Sequence, residues 1–344
     1  MSVASENQNE VINAPVEDTI DAHMPEFLTV SPSPHIRAYV TTRTVMLDVC
    51  IALLPALIWG IYMFGWRALT LTAISVIFAV LSEFVYQKIM KKPITVLDFS
   101  AIVTGLLLAL NLPVSVPLWI PAVGSVFAII VVKQLFGGIG RNFMNPALAA
   151  RVFLFAWPYL NSYPAQGTKM SPISIGAPDI VASATPLSYL KEGAIPENAT
   201  LFDALIGYES GCIGEVSALL LTAGFIYLLA RRIITWHTPV AYIGTVFVLA
   251  LIFPQGANAL DFALWQILSG GLFLGAIFMA TDYSTSPIMP RGRIIYGIGC
   301  GLITVFIRYF GTYPEGVSFS ILIMNLLVWY LDLYTKPKKF GGTK

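Results

Sequence analysis

The feature that most constrains this chain is a succession of long apolar runs separated by short polar turns. Hydrocarbon offers no water to exposed amides, so such a chain must satisfy its backbone inside helices or a closed barrel. The runs approach the ~20 residues of a membrane-crossing helix rather than the roughly 9–11 of a barrel strand. Ten of them fit, over approximately 45–66, 67–87, 94–112, 117–136, 145–160, 215–230, 239–254, 262–281, 294–311 and 317–334. The predicted fold class is an all-α polytopic membrane protein with ten transmembrane helices. Several runs fall short of a straight crossing, so some are expected to be broken or re-entrant. Composition agrees: 11% of the residues are charged, against about 25% in soluble domains.

The division follows from the runs. Residues 1–36 are an acidic, mobile tail and 37–160 a first membrane half of five spans. Residues 161–214 are a long loop, 215–335 a second half of five spans, and 336–344 a short basic tail. An even number of spans puts both ends of the chain on one side. With that side taken as cytoplasmic, fifteen Lys and Arg lie inside and four outside, a strong positive-inside bias. The loop is then extracytoplasmic. Its prolines and glycines, Pro164, Gly167, Pro172, Gly176, Pro178, Pro186, Gly193 and Pro196, read as a folded connection rather than another helix. A net charge of +1 gives no sign of a nucleic-acid partner; the partner that composition does imply is a lipid bilayer.

A weak internal repeat accompanies the two halves. Leu97-Asp-Phe99 opens the third span and Leu260-Asp-Phe262 the eighth, with Thr104-Gly105 and Ser269-Gly270 following. Five spans per half would invert the second half relative to the first, the arrangement with which many transport folds build a midplane cavity. Cysteine and histidine exclude other chemistry. Cys50, Cys212 and Cys300 are widely separated, as are His23, His35 and His237, so no metal site or iron–sulfur cluster is expected. No catalytic motif for hydrolysis is present, and no catalytic residue is assigned.

Four places remain. Gly137-Gly-Ile-Gly-Arg-Asn-Phe-Met-Asn-Pro146 reads either as a tight turn with proline at the start of a helix or as a ligand site. In the second case Asn142 and Asn145 supply amide donors and acceptors near the bilayer. Ionisable residues within the spans are functional candidates. Asp48 and Asp332 lie near span ends, and Asp98 and Asp261 suit helix starts, which leaves Glu83 and Asp282 as candidates for an ion path. Gly271–Gly275 and Gly297–Gly301 read as close-packing faces. Finally, Ala182-Ser-Ala-Thr-Pro-Leu187 is a small, hydroxyl-bearing run within the long loop. From residues alone, Thr185 reads as a threonine bonded to nearby backbone before a proline.

This last run resembles the flavinylation site of the NqrB/RnfD family. Ser33-Pro-His35, Asn145-Pro-Ala-Leu-Ala-Ala-Arg-Val-Phe-Leu-Phe-Ala-Trp-Pro158 and Ala280-Thr-Asp-Tyr-Ser-Thr-Ser-Pro287 resemble family landmarks, and the short N-terminus is similar to the RnfD branch. The resemblance implies a membrane subunit of the Rnf complex, which couples electron transfer between ferredoxin and NAD to pumping of Na⁺ or H⁺. It implies partner subunits A, B, C, E and G, a bacterial inner-membrane location, and a urea-transporter-like fold of paired inverted repeats. It further implies FMN joined through its phosphate to Thr185, within a motif whose preceding residues here are Ser183 and Ala184, attached by a flavin transferase. A second, non-covalent riboflavin is assigned to the Asn142/Asn145 region. The competing reading is a solute channel or transporter on the same repeats, without a redox role.

Overall fold

The computed structural model describes residues 40–156, 185–194, 200–208, 211–215, 217–255, 258–311 and 315–337. The two tails and most of the long loop, Ser183 and Ala184 included, lie outside the described residues. The chain divides after Thr41, and all the helices below belong to the unit that begins at Thr42. Among the described residues the secondary structure is helical, without β-strands.

The first half contains α1 (Thr42–Phe64), α2 (Trp66–Ile89) and α3 (Ser100–Leu110), followed by α4 and α5. α4 is Trp119–Val126 and continues as a π-helix over Phe127–Gln134; α5 is Pro146–Phe155. The loop contributes two short helices, α6 (Pro186–Lys191) and α7 (Leu201–Ile206). The second half contains α8 (Ala218–Ala230), α9 (His237–Ile252) and α10 (Ala259–Leu268). α11 (Leu272–Leu274) then runs into a π-helical stretch, Gly275–Met279, and is followed by α12 (Pro290–Phe310) and α13 (Val317–Thr335). Each apolar run of the sequence thus falls on a helix. Four helices, α1, α2, α12 and α13, are long and apolar enough to cross a membrane alone. A fifth crossing results if α10 and the segment Leu272–Met279 count as one span, bent by 60° at the break between them.

Packing pairs the halves. α1 lies against α8 and α5 against α13; α2 packs on α3 and α4, while α9 packs on α10 and α12. The α9–α12 contact shows how small residues set the geometry. A Cβ on Gly297 would stand within 2.8 Å of the Thr238 carbonyl, and one on Gly301 within 2.6 Å of Thr245. Both numbers rise together, so the two helices run parallel, with backbones close enough for ordinary van der Waals contact only because those positions lack a side chain.

Polar residues at helix starts and span ends hold the body together. Asp98 accepts from the Ser100 amide at 2.8 Å, which satisfies a first-turn donor of α3. Asp48 accepts from the Tyr227 hydroxyl at 2.8 Å and pairs with Arg231 at 3.1 Å. Asp332 accepts from the Ile288 amide at 3.0 Å, and Asp261 accepts from the Asn258 amide side chain at 3.1 Å.

Candidate functional site

Thr185 stands immediately before α6, with extended backbone (φ −69°, ψ 150°) and Pro186 opening the helix. Its carbonyl takes up the turn, accepting from the Ser188 amide at 2.9 Å and the Ser188 hydroxyl at 2.6 Å. Its own hydroxyl makes no capping bond to the helix, so the α6 backbone leaves that oxygen unused. The helix itself is fastened down. Leu187 and Leu190 are buried in a cluster with Phe262, Ala263 and Trp265 of α10 and Ala250 of α9. Lys191 donates to the Gly311 carbonyl at 2.6 Å. Thr185 is therefore a half-buried hydroxyl at the edge of the long loop, held on a short helix clamped to the second membrane half.

Leu187 rests on Gly270, in the break between α10 and α11, where a Cβ would collide with it. Gly270 has φ +75°, a conformation that glycine adopts without steric cost. The bend frees carbonyl groups that lipid would leave unbonded. Arg308 of α12 supplies the donors. Its guanidinium bonds the Gln266 carbonyl and, at 2.9 Å, the Gln266 side chain, reaches the Ser269 carbonyl at 3.4 Å, and bonds the Glu315 carbonyl through Nε at 3.2 Å. Arg308, one of the four cations counted outside, is buried and braces a broken helix.

On the other side of the break, a Cβ on Gly271 would approach Glu215 Oε1. Glu215 belongs to a buried charge cluster around Arg151 of α5. Arg151 bonds Glu215 at 3.2 Å, Glu315, Asn111 at 2.8 Å and Ser318 at 3.1 Å. Burial pushes the adjacent Cys212 thiol well above its usual pKa, with the Glu215 carboxylate adding to the effect, so this thiol stays protonated. Arg151 falls within the fifth apolar run, among the ionisable residues that the sequence marks as candidates, but sequence reasoning misses Glu215, at the very start of the sixth run, and Glu315, between the last two. These carboxylates come from segments a hundred residues apart, and only the fold joins them.

Glu83 of α2 is wholly buried. Its Oε1 accepts from Lys133 at 2.8 Å, Gln134 at 2.7 Å and Gln87 at 3.3 Å, while Oε2 has no partner among the described residues. Lys133 also donates to Ser100 Oγ at 2.7 Å. The π-helical stretch brings both Lys133 and Gln134 onto Glu83. Lys133 is buried like Arg308, but unlike Arg308 it is paired with a carboxylate.

The two asparagines have different fates. Asn145 caps α5, its Oδ1 accepting from the Ala147 and Leu148 amides at 3.0 and 3.4 Å while Nδ2 donates to the Met279 carbonyl at 3.2 Å. Asn142 is buried with Oδ1 unpartnered. Both line a cavity of about 80 Å³ that also touches Lys133, Thr281 and Asp282. Asp282 accepts from Ser284 at 2.9 Å and Thr285 at 3.2 Å. The structure thus gathers Asn142, Asn145 and Asp282 around one cavity, with Glu83 one residue behind it through Lys133; Thr185 belongs to a separate region.

Comparison with known proteins points in one direction. The chain matches the NQR2, RnfD, RnfE family over residues 29–341. It is 51% identical over 321 residues to the D subunit of the Na⁺-translocating ferredoxin:NAD⁺ oxidoreductase complex of Acetobacterium woodii, covering 92% of this chain and 96% of that protein. It is 40% identical to the proton-translocating counterpart of Clostridium ljungdahlii, covering 91% and 96%. It is also 40% identical to the D subunit of the ion-translocating oxidoreductase complex of Stutzerimonas stutzeri, covering 86% and 91%.

Proposed function

Because the chain belongs to the NQR2, RnfD, RnfE family, we propose that it is the D-type membrane subunit of an ion-translocating ferredoxin:NAD⁺ oxidoreductase complex and carries FMN on Thr185. The observation that carries the first part is identity along nearly the whole length to relatives that bear that name. The flavin assignment is supported by the Thr185 hydroxyl, which α6 leaves unbonded, on a helix anchored to the membrane body.

When bound, the flavin supplies the redox chemistry, while the protein supplies placement. A phosphoester through Thr185 Oγ1 fixes the cofactor's tail. Leu187, Leu190 and Lys191 hold the attachment point against α10 and the Gly311 carbonyl. Attachment requires a flavin transferase, and the residues that precede the acceptor in the sequence, Ser183 and Ala184, are small. Electrons come from partner subunits A, B, C, E and G, since the cysteines of this chain, set far apart in sequence, do not form an iron–sulfur ligand set.

The body is proposed to be two inverted five-helix repeats of urea-transporter type, ten helices in all. The packing supports this: α1 with α8 and α5 with α13 are mutual pairs, and α2 with α3 and α4 is matched by α9 with α10 and α12. Both ends of the chain are assigned to the cytoplasm of a bacterial cell and the flavin loop to the opposite side. A second flavin, riboflavin, is assigned beside Asn142, whose unpartnered Oδ1 suits a ring N–H donor. The donor set fits such a ring, but a cavity of about 80 Å³ requires the lining side chains to open. Asp282, on the same cavity, and Glu83 are assigned to the ion path.

The decisive experiment is intact mass and in-gel fluorescence of the chain produced with a flavin transferase. The wild type is expected to carry one FMN and to fluoresce after denaturation, and Thr185→Ala to lose both signals. An adduct that survives Thr185→Ala moves the site elsewhere. A wild type without an adduct leaves the solute-channel reading in its place.

A further inference from the structure

A second cavity, of about 200 Å³, lies where α9 and α12 begin. It shares Ile233, Ile234, Thr281 and Tyr283 with the Asn142 cavity, but its polar lining is different: Thr235, Thr238, Ser286 and Arg293. We propose that it binds a phosphoryl group.

Charge is the first support. The two helices run parallel, so their positive ends meet at this cavity, and neither has a side-chain cap. Uncapped first-turn amides and aligned peptide dipoles favour an anion. Arg293 adds a full charge. Its Nε donates to the Pro287 carbonyl at 2.9 Å and its Nη1 to Thr235 Oγ1 at 2.8 Å. Those bonds fix the guanidinium plane, and neither engages Nη2. Held in this way, a guanidinium pre-orders its remaining donors for phosphate oxygens.

Unused polarity is the second support. Thr238 is 2% exposed, yet its hydroxyl makes no hydrogen bond among the described residues and the residue lines the cavity. The hydroxyl is not among the enclosed unpartnered polar atoms, so it opens on the cavity, where a bound oxyanion can accept from it. No carboxylate is among the residues that line the cavity. The cavity therefore presents cationic and hydroxyl donors without a competing internal anion. A phosphoryl group at the end of two membrane helices has two sources, the headgroup of an anionic lipid or a soluble phosphate.

The test is thermal unfolding of the detergent-solubilised full chain, titrated separately with inorganic phosphate and with phosphatidylglycerol. Sodium chloride at matched ionic strength and phosphatidylcholine serve as controls. A saturable rise in Tm with both ligands supports a general phosphoryl site; a rise with phosphatidylglycerol alone supports a lipid headgroup site, and one with phosphate alone a soluble ligand. In each supporting case the half-saturating concentration rises about tenfold or more in Arg293→Gln, as expected for loss of a charge-assisted bond. It also rises in Thr238→Val, which keeps the side-chain shape, and stays unchanged in Arg232→Gln, outside the cavity lining. If Arg293→Gln fails to fold, Thr238→Val decides. No rise in the wild type, or a rise unaltered in Thr238→Val and in any folded Arg293→Gln, overturns the proposal.

Discussion

Replacing Lys133 by methionine tests the buried network of α2 and α4. The substitution keeps length and volume but removes the ammonium that lies 2.8 Å from Glu83 Oε1. Glu83 then keeps two amide donors, Gln134 at 2.7 Å and Gln87 at 3.3 Å, while Oε2 stays unpartnered among the described residues. With Lys133 at 3% and Glu83 at 0% exposure, no water makes up the difference. Breaking a buried pair from one side costs about 3–5 kcal/mol. At roughly 2 °C per kcal/mol for a long chain, Tm falls by about 6–10 °C. Adding Glu83→Gln removes the stranded charge, so the double variant recovers most of the loss although it carries one more substitution. Tryptophan-fluorescence melting in detergent reads all four proteins of the cycle. A Lys133→Met variant within about 2 °C of wild type, or a double variant no more stable than Lys133→Met, would refute the claim that the Lys133–Glu83 contact stabilises the α2–α4 packing.

Three further outcomes are expected. Gly270→Ala forces a side chain into a positive-φ site against Leu187 and destabilises by about 1–3 kcal/mol, and it lowers FMN incorporation; normal flavin content would detach α6 from the break. Arg151→Met leaves Glu215 and Glu315 facing each other without their cation and costs about 3–5 kcal/mol, while Arg151→Met with Glu215→Gln melts higher than Arg151→Met alone; equal melting would remove Glu215 from the cluster. Asp282→Asn slows ion-coupled turnover of the reconstituted complex while flavin content stays normal, and unchanged pumping in proteoliposomes retires Asp282 from the ion path.

The apolar runs are readable because lipid leaves the backbone so few choices, and each lands on a helix. Sequence periodicity does not convey how individual crossings are interrupted. Ser269-Gly270 reads as part of a repeat and Gly271–Gly275 as a packing face, and only the structure reveals a 60° bend whose carbonyls are met by Arg308. Lys133 sits near the end of an apolar run, which is where flanking cations sit, but the π-helical stretch brings it onto Glu83. Asn142 and Asn145 look equivalent in the sequence; the cap of α5 consumes one and leaves the other unpartnered. Thr185 is a different case. Nothing in its local spacing separates a flavin acceptor from an ordinary loop threonine, and the family resemblance alone singles it out.

The break between α10 and α11 has a mechanical consequence. Gly270 meets Leu187, in the helix that begins beside Thr185, and Gly271 meets Glu215, in the cluster around Arg151. One peptide bond joins these two glycines, so the loop and the buried arginine are connected in series through it. A rotation of that peptide cannot stay local: it displaces Leu187 on one side, Glu215 on the other, or both.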